Sequence, residues 1–381
     1  MAYRFKRKLF GFMDLLRFKH MTDVRRAKLQ EGSFAPLPTT YRVNETAKVL
    51  HPGTQWATLE EITTHNGDTK TYTFQLTLPV FFRAGQYVTV RAKVGESLVA
   101  RPYAISSSPE MGLRKKLSVT VKKAGFFSDY LYDNAKVGDR MEIGDPSGEF
   151  YYESLTDTKH ILAIAGGSGI TPFYSLAQSI HDGTEDCTMT LIYGAKTLSD
   201  LVFKQQLDEL VSDKFNVVYV LSDEKADGCE YGFITKELLA KYTQNCYTTM
   251  LCGSNGMYKF VDQQLKDFGV NISKVKHEPN CVGLRDVENK TFTLTVHIRD
   301  KKYTVKASNR ETILVAMERA GLSVPSKCRA GGCGFCHSKL VSGKFSLAGA
   351  DKRRLADAKF GYIHPCCSYP DSDMELIVPK G

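Results

Sequence analysis

The stretch CRAGGCGFC, Cys328–Cys336, places three cysteines in nine residues with glycines at 331, 332 and 334 wedged between them, and HPCCSYP follows with Cys366 and Cys367. Thiols clustered in this way make a disulfide staple, a zinc site or the cage of an iron–sulfur cluster. Which of these they make decides what the rest of the chain must be. The chain has 381 residues, ten of them cysteine, and is too long for one hydrophobic core. Its opening, MAYRFKRKLFGFMDLLRF, lacks a long apolar run and a small-residue cleavage site, so it does not read as a secretory signal. The expected setting is therefore the reducing cytoplasm, where clustered cysteines more often hold metal than bridge. Zinc sites usually carry two short C-x-x-C knuckles, whereas this loop has one short pair and outlying thiols. The spacing favours a cluster.

C-x4-C-x2-C is the arrangement of plant-type [2Fe–2S] ferredoxins, whose fourth thiolate comes from further along the chain. Each iron takes two thiolates beside the bridging sulfides, and the glycines let the loop backbone wrap closely and aim amides at sulfur. Residues 288–381 resemble such a domain, in ETILVAMERAGLSVPSKCRAGGCGFC and in GYIHPCCSYP. The resemblance implies Cys328, Cys333, Cys336 and Cys366 as ligands. Cys366 has the required C-x-x-Y-P context, and 29 residues separate it from Cys336. Cys367 is expected to be a small buried hydrophobe. His337 and His364 flank the ligands, and with four cysteines in place no imidazole is needed.

Upstream, from Gln55 to about Phe150, stretches such as KTYTFQLTL, QYVTVRAKV and KLSVTVKKA alternate or are β-branched, which predicts an antiparallel barrel. RPYAISSSP, Arg101–Pro109, follows a barrel strand. Arg101 can fork onto phosphate and Tyr103 can stack on a flat ring. In GFFSDYL, Gly125 and Ser128 open a predicted helix whose amides suit a pyrophosphate. With FRAGQYVTV and GDPSGEF, this set resembles the flavin barrel of the ferredoxin-NADP reductase superfamily. The resemblance implies flavin contacts from Arg101, Pro102, Tyr103, Ala104 and Ser106. Ala104 departs from the family, which has Ser or Thr there beside flavin N5; a backbone amide or Ser106 is the substitute. The G-x-x-S segment favours FAD, with FMN as the alternative.

ILAIAGGSGITP is an apolar strand running into a glycine turn, and FYSLAQSI, TMTLIYGAK, DLVFKQQLDELV, FNVVYVLS and TTMLCGSNG continue an alternation of strands and helices. The pattern predicts a parallel α/β sheet up to about Glu278. A dinucleotide diphosphate would sit on the helix start after the turn. In the same superfamily G-G-x-G-I-T-P is the pyridine-nucleotide signature, which implies Gly166, Gly167, Gly169, Thr171 and Pro172 as contacts. LCGSNG resembles the second signature, with Cys252 and Gly253 beside the nicotinamide. The alternative role for Cys252 is a buried core thiol. Lys196 is a lone cation in YGAKT, so NADH is favoured, with NADPH as the alternative.

From residue 55 to 381 the order matches single-chain reductases of the phthalate dioxygenase reductase kind: flavin, then NAD, then [2Fe–2S]. The expected fold class is multidomain, with an antiparallel β-barrel flavin domain, a parallel-sheet α/β nucleotide domain and an α+β β-grasp ferredoxin domain. The expected boundaries are 1–54, 55–155, 156–280 and 288–381. The implied activity is an NAD(P)H-dependent reductase that hands electrons to a protein acceptor, without a catalytic acid or nucleophile. Two rivals stay open: a ferredoxin-like carrier with idle nucleotide folds, and a diaphorase or NADH oxidase serving quinone or oxygen.

The formal charge of +9 is concentrated in residues 1–30, which hold nine Lys or Arg against Asp14 and Asp23. No nucleic-acid motif accompanies them. Leu9, Phe12, Met13, Leu16 and Val24 have roughly helical spacing, so a basic helix is expected, on the protein's own surface, in a homodimer, or docked on an acidic partner or the surface of an anionic membrane. PLPTTYRVNETAKVLHPG is expected to be a linker or strap. No run of about eighteen apolar residues is present.

Overall fold

The computed structural model describes residues 11–31, 42–50, 53–95, 97–243, 247–279 and 283–379. Two compact units divide the chain, Met1–Thr46 and Ala47–Gly381. In the first, α1 (Gly11–Gln30) is the expected helix. Its apolar residues do not make a stripe. Leu15, Leu16, Phe18, Met21, Val24 and Leu29 are all exposed, and at 100° per residue they fall on every side of the helix. The expectation of a strap is corrected in part, because α2 (Arg42–Leu50) is helical, with Glu45 in its first turn. Leu9 lies outside the described residues, as do the side chains of Phe12 and Met13. No described helix is long and apolar enough to cross a membrane.

The larger unit is built from three principal sheets. The first comprises β1 (Gln55–Thr64), β2 (Thr69–Leu76), β3 (Tyr87–Val94), β4 (Ser97–Ala104), β5 (Lys116–Lys122) and β6 (Arg140–Ile143), in the order β4-β3-β6-β1-β2-β5, all antiparallel. An isolated bridge between Ile105 and Val119 brings the two outer strands together. Inward residues alternate along β3, where Val88 and Val90 are fully buried. Pro102 sits on β4, an outer strand, where the missing N–H costs no ladder bond toward a further neighbour. The short helices α3 (Pro109–Leu113) and α4 (Phe126–Asn134) cover this sheet, and Phe127 and Leu131 of α4 enter its core.

The second sheet is parallel, in the order β10-β9-β8-β7-β11-β12. Its strands are β7 (His160–Gly166), β8 (Thr188–Ala195), β9 (Phe215–Leu221), β10 (Cys229–Tyr231), β11 (Thr248–Cys252) and β12 (Lys276–His277). Ile161–Ala165 are all fully buried, as a strand covered on both faces requires. The helices are α5 (Thr171–His181), α6 (Lys204–Glu209), α7 (Lys236–Tyr242) and α8 (Asn255–Asp267). DLVFKQQLDELV is not one helix. A 3-10 turn at Leu198–Asp200 and a left-handed Phe203 (φ 66°) split it, and Phe203 turns inward to stack on Tyr174.

The third sheet has the order β14-β13-β19-β15-β17, from β13 (Thr291–Ile298), β14 (Lys301–Ser308), β15 (Ser338–Ser342), β17 (Tyr362–Ile363) and β19 (Met374–Val378). β13 and β19 are parallel neighbours. The remaining pair is β16 (Phe345–Leu347) with β18 (Ser368–Pro370). α9 (Ile313–Arg319), capped by the Thr312 hydroxyl, buries Ile313, Leu314, Ala316 and Met317. α9 packs on the turn Pro365–Cys367, and α10 (Leu355–Lys359) packs on β17.

The modules are joined by specific bonds. Ser175 Oγ on α5 donates to Ser107 O at 2.6 Å, and Gln178 Nε2 donates to Ser106 O at 2.8 Å. Lys327, just before the cysteine loop, pairs with Asp145 of the first module at 2.9 Å.

Candidate functional site

The cysteine loop fits the chemistry of a two-iron cage. Cys328 and Cys333 hydrogen-bond one another through their side chains, and Cys336 and Cys366 do the same. Backbone amides point at the sulfurs: Ala330 N–H at Cys328 and Phe335 N–H at Cys333, both at 3.5 Å. Hydrogen bonding to Cys333 holds the Cys328 thiol down at about 5 against its burial, and the partner thiol is pushed up. Bonds from Cys336 and then Cys367 hold Cys366 down at about 3, with burial opposing and the Arg329 charge assisting. Among the described residues, no three His, Cys, Asp or Glu side chains converge as a single metal ion would need. Cys328 with Cys333 and Cys336 with Cys366, with Cys367 beside the second pair, offer the two thiolates per iron that a two-iron cage requires. Cys333 is the exposed member, while Cys336 and Cys366 are buried.

Cys367 is also buried and donates to His364 O at 3.4 Å. Gly331 (φ +83°) lies against it, and a Cβ there would come within 2.8 Å of the Cys367 sulfur. His364 is fully buried and bound on both ring nitrogens, to Gly331 O at 2.8 Å and to Asp357 at 2.9 Å. His337 bonds Gly334 O at 2.8 Å. Both imidazoles thus brace the loop through its backbone carbonyls.

In the first module, β4 carries Arg101, Pro102, Tyr103 and Ala104 in register with Val90, Thr89, Val88 and Tyr87 of β3. Arg101 and Tyr103 share a face of the strand. The Tyr103 ring lies over Phe127 (6.4 Å, 22°), which in turn lies over Tyr130 (6.5 Å, 17°). Gly125 (φ +145°) precedes α4 with open space where its side chain would be. Ser128 does not reach outward: its hydroxyl donates to Gly125 O at 2.8 Å and accepts from Ala124 N–H at 2.9 Å. It shapes the turn, leaving the helix amides as the polar groups of that corner.

Ser106 is the informative residue. Its side chain is buried, and its hydroxyl is one of two buried polar side-chain atoms without a hydrogen-bond partner among the described residues, the other being Tyr72. A buried hydroxyl left unpaired costs about 1–3 kcal/mol. It lies two residues from Ala104, the position that lacks the family's hydroxyl, and so fits a polar ring edge. A bound flavin suits this set.

In the second module, the turn Gly167–Ile170 leads directly into α5. Gly167 is left-handed (φ +54°) and faces open space, whereas a Cβ on Gly169 would stand 2.1 Å from Cys252 O. Gly166 and Gly253 both abut the Met257 sulfur. Thr171 caps the turn by donating to Ser168 O at 2.9 Å, and Pro172 occupies the first turn of α5. The glycine turn and the end of β11 therefore form one closely packed cradle. Cys252 is buried, and burial pushes its thiol up, with the Glu278 charge adding to the rise. Tyr258 donates to Glu278 O at 2.7 Å, and burial raises the Glu278 carboxyl to about 8.

Sequence reasoning missed one residue, Glu318, whose carboxylate meets Arg101 and Arg329. Nothing in its neighbourhood along the chain marks it, because one of its partners is 217 residues away. The cavity of about 800 Å³ between the first and third sheets, lined by Arg91, Glu142, Asp145, Tyr303, Lys327 and Phe335 among others, holds none of the residues selected from the sequence. It is a cleft between modules.

Residues 56–152 match the oxidoreductase FAD-binding domain, residues 163–263 the oxidoreductase NAD-binding domain and residues 296–371 the 2Fe-2S iron-sulfur cluster binding domain. The glycine betaine monooxygenase reductase subunit of Chromohalobacter salexigens is 26% identical over 338 residues, spanning 81% of this chain and 91% of its own. NADH oxidoreductase HCR of Escherichia coli is 28% identical over 307 residues, spanning 77% and 88%. The ferredoxin reductase component of 3-ketosteroid-9-alpha-monooxygenase from Mycobacterium tuberculosis is 29% identical over 313 residues, spanning 77% and 84%. Among solved structures, phthalate dioxygenase reductase superposes with a TM-score of 0.65 at 22% identity, over 86% of this chain and 98% of that one, and so shares the fold.

Proposed function

We propose, from the premise that this chain is a flavin and [2Fe–2S] oxidoreductase of the phthalate dioxygenase reductase kind, that it draws electrons from NADH and delivers them to an oxygenase protein. The observation that carries the reading is the direct seating of the cysteine loop on the flavin-side strand: Arg329, next to Cys328, donates to Ala100 O of β4 at 3.0 Å. Within this reading the first sheet is a barrel closed at Ile105–Val119, and the third module is a β-grasp. The modules run 55–155, 156–280 and 288–381, after an extension of 1–54.

When bound, the flavin takes the nicotinamide's electrons as a pair and releases them singly, matching a cluster that takes one at a time. The chain's own part is binding and orientation. Tyr103 offers its ring to the isoalloxazine, and Arg101 with the amides opening α4 holds a diphosphate, which favours FAD. Ser106 supplies the hydroxyl that Ala104 does not. The Gly166–Gly169 turn and the start of α5 hold the nucleotide diphosphate, with Cys252, Gly253 and Glu278 at the nicotinamide end. Cys328 and Cys333 hold one iron, and Cys336 and Cys366 hold the other. No side chain is asked to act as acid, base or nucleophile.

An oxygenase acceptor is supported by the relatives named as reductase parts of monooxygenases. Residues 1–30, at a net charge of +7, are assigned to docking on an acidic face of that acceptor. Undiminished turnover with the oxygenase by a chain starting at Ala47 would refute this assignment. The main test is anaerobic titration of the purified protein with NADH and, in parallel, NADPH. Bleaching of flavin and cluster absorbance at low NADH, with a [2Fe–2S] EPR signal, is expected. Bound flavin that neither nucleotide bleaches would put the carrier reading in its place.

A further inference from the structure

Between the first and third modules lies a buried charge cluster that electron delivery does not by itself explain. Glu318, on α9, accepts a fork from Arg329, with Nη1 to Oε1 at 2.8 Å and Nη2 to Oε2 at 2.7 Å. Arg101 Nη1 reaches the same Oε2 at 2.9 Å. Both guanidiniums also donate to one carbonyl, Ala100 O, at 2.8 Å and 3.0 Å. The side chains of Glu318 and Arg329 are 5% exposed, whereas that of Arg101 keeps 20%. Arg329 is left-handed (φ 51°), a strain that a non-glycine residue keeps only where its surroundings hold it. One carboxylate therefore serves two cations. Arg101 is the more open of the two and the residue assigned to the flavin diphosphate.

We propose that Glu318 is a positioning residue that shares Arg101 with the flavin diphosphate, so that anion binding on β4 and seating of the cysteine loop on the same strand are thermodynamically linked. This rests on the flavin assignment made above. The carboxylate draws Arg101 toward the cysteine loop and away from the phosphate, trading flavin affinity for a fixed distance between the two redox centres. Removing its charge therefore moves two quantities in opposite directions. A general structural role would move them together.

The test uses the full chain with Glu318→Gln and, separately, Arg329→Lys. In Glu318→Gln, amide hydrogen exchange at 97–104 and 329–336 should rise by roughly 10–100-fold, because the buried Arg329 and the half-buried Arg101 lose the carboxylate they share. FAD should bind roughly threefold to tenfold tighter, since Arg101 is released. Passage of electrons from flavin to cluster, read after rapid mixing with NADH, should slow by about tenfold or more as the seating loosens. Arg329→Lys keeps the charge but loses the fork, so exchange should rise with no gain in FAD affinity.

Unchanged exchange in both variants would overturn the proposal. So would unchanged or weaker FAD binding in Glu318→Gln accompanying its loss of protection. Should Glu318→Gln not fold, Arg329→Lys decides alone, with unchanged exchange refuting the link. Exchange and FAD affinity are read without NADH or an acceptor, so they stand even if the donor or the oxygenase assignment fails. Wild-type protein that binds no FAD would overturn the flavin assignment itself.

Discussion

Gly166 and Gly169 offer a matched pair of perturbations. An added Cβ at either would stand 2.1 Å from a neighbouring atom, so the separation is the same and what decides is whether the neighbour can move. At Gly169 the neighbour is Cys252 O, with Cys252 C at 2.5 Å and Gly253 N at 2.9 Å. That is the backbone of β11, held between β7 and β12. At Gly166 it is the sulfur of Met257, the far end of a side chain that can turn aside. Overpacking costs about 1–3 kcal/mol, and Gly169→Ala belongs at the upper end because nothing opposite it yields. Gly166→Ala should cost no more than about 1 kcal/mol. Calorimetry of the apoprotein should then show the transition of the nucleotide module lowered by roughly 10 °C for Gly169→Ala and by only a few degrees for Gly166→Ala. If Gly169→Ala relieves the overlap by shifting the turn, the cost appears in binding: about 3 kcal/mol corresponds to roughly a hundredfold loss of NADH affinity. Gly169→Ala with wild-type melting and NADH affinity, or a Gly166→Ala variant equally damaged, would refute the reasoning.

Cys366→Ser should abolish the [2Fe–2S] absorbance and EPR signal while Cys367→Ser keeps both; the reverse outcome would transfer the ligand role to Cys367. Ser106→Ala should stabilise the flavin-free protein by about 1 kcal/mol, because it removes an unpaired buried hydroxyl, and should slow flavin reduction by NADH by about tenfold. Loss of stability on that substitution would mean that the hydroxyl already has a partner. Burial raises Glu278 to about 8, so the folded state keeps a proton that the unfolded chain releases near its ordinary value of 4.5. Stability should therefore fall as pH rises from about 4.5 to 8, by at most about 4 kcal/mol after discounting for partial exposure. Glu278→Gln should flatten that slope in urea titrations, and an unaltered slope would assign it to other groups.

The strands were legible where side-chain period and burial coincide. ILAIAG is apolar throughout because both faces of β7 are covered, and YVTVRA alternates because one face of β3 is. The thiol loop was legible because ligand spacing is local. What the sequence concealed depends on tertiary position. Phe203 breaks an apparently helical stretch because its ring is worth more stacked on Tyr174 than the helical bond it forgoes. Residues 42–50 form a helix although PLPTTY before them suggested a strap. α1 has helical composition, yet its exposed apolar residues encircle it. Ser128 looked like a ligand but satisfies itself on Gly125 O. Ser106 and Glu318 gain their meaning only from burial and from partners far away in the chain.

The place of β19 in the third sheet sets an order of biosynthesis. It is the middle of five strands, between β13 and β15, so that sheet cannot close until the chain through Val378 has emerged from the ribosome. The first sheet is complete at Ile143, about 235 residues earlier, an interval of roughly 10–50 s at ordinary elongation rates. The strands of the first sheet are therefore all available on a nascent chain before any of the four thiolate donors, Cys328, Cys333, Cys336 and Cys366, has been translated. Arg329 can reach Ala100 O only once both the first sheet and the cysteine loop are in place.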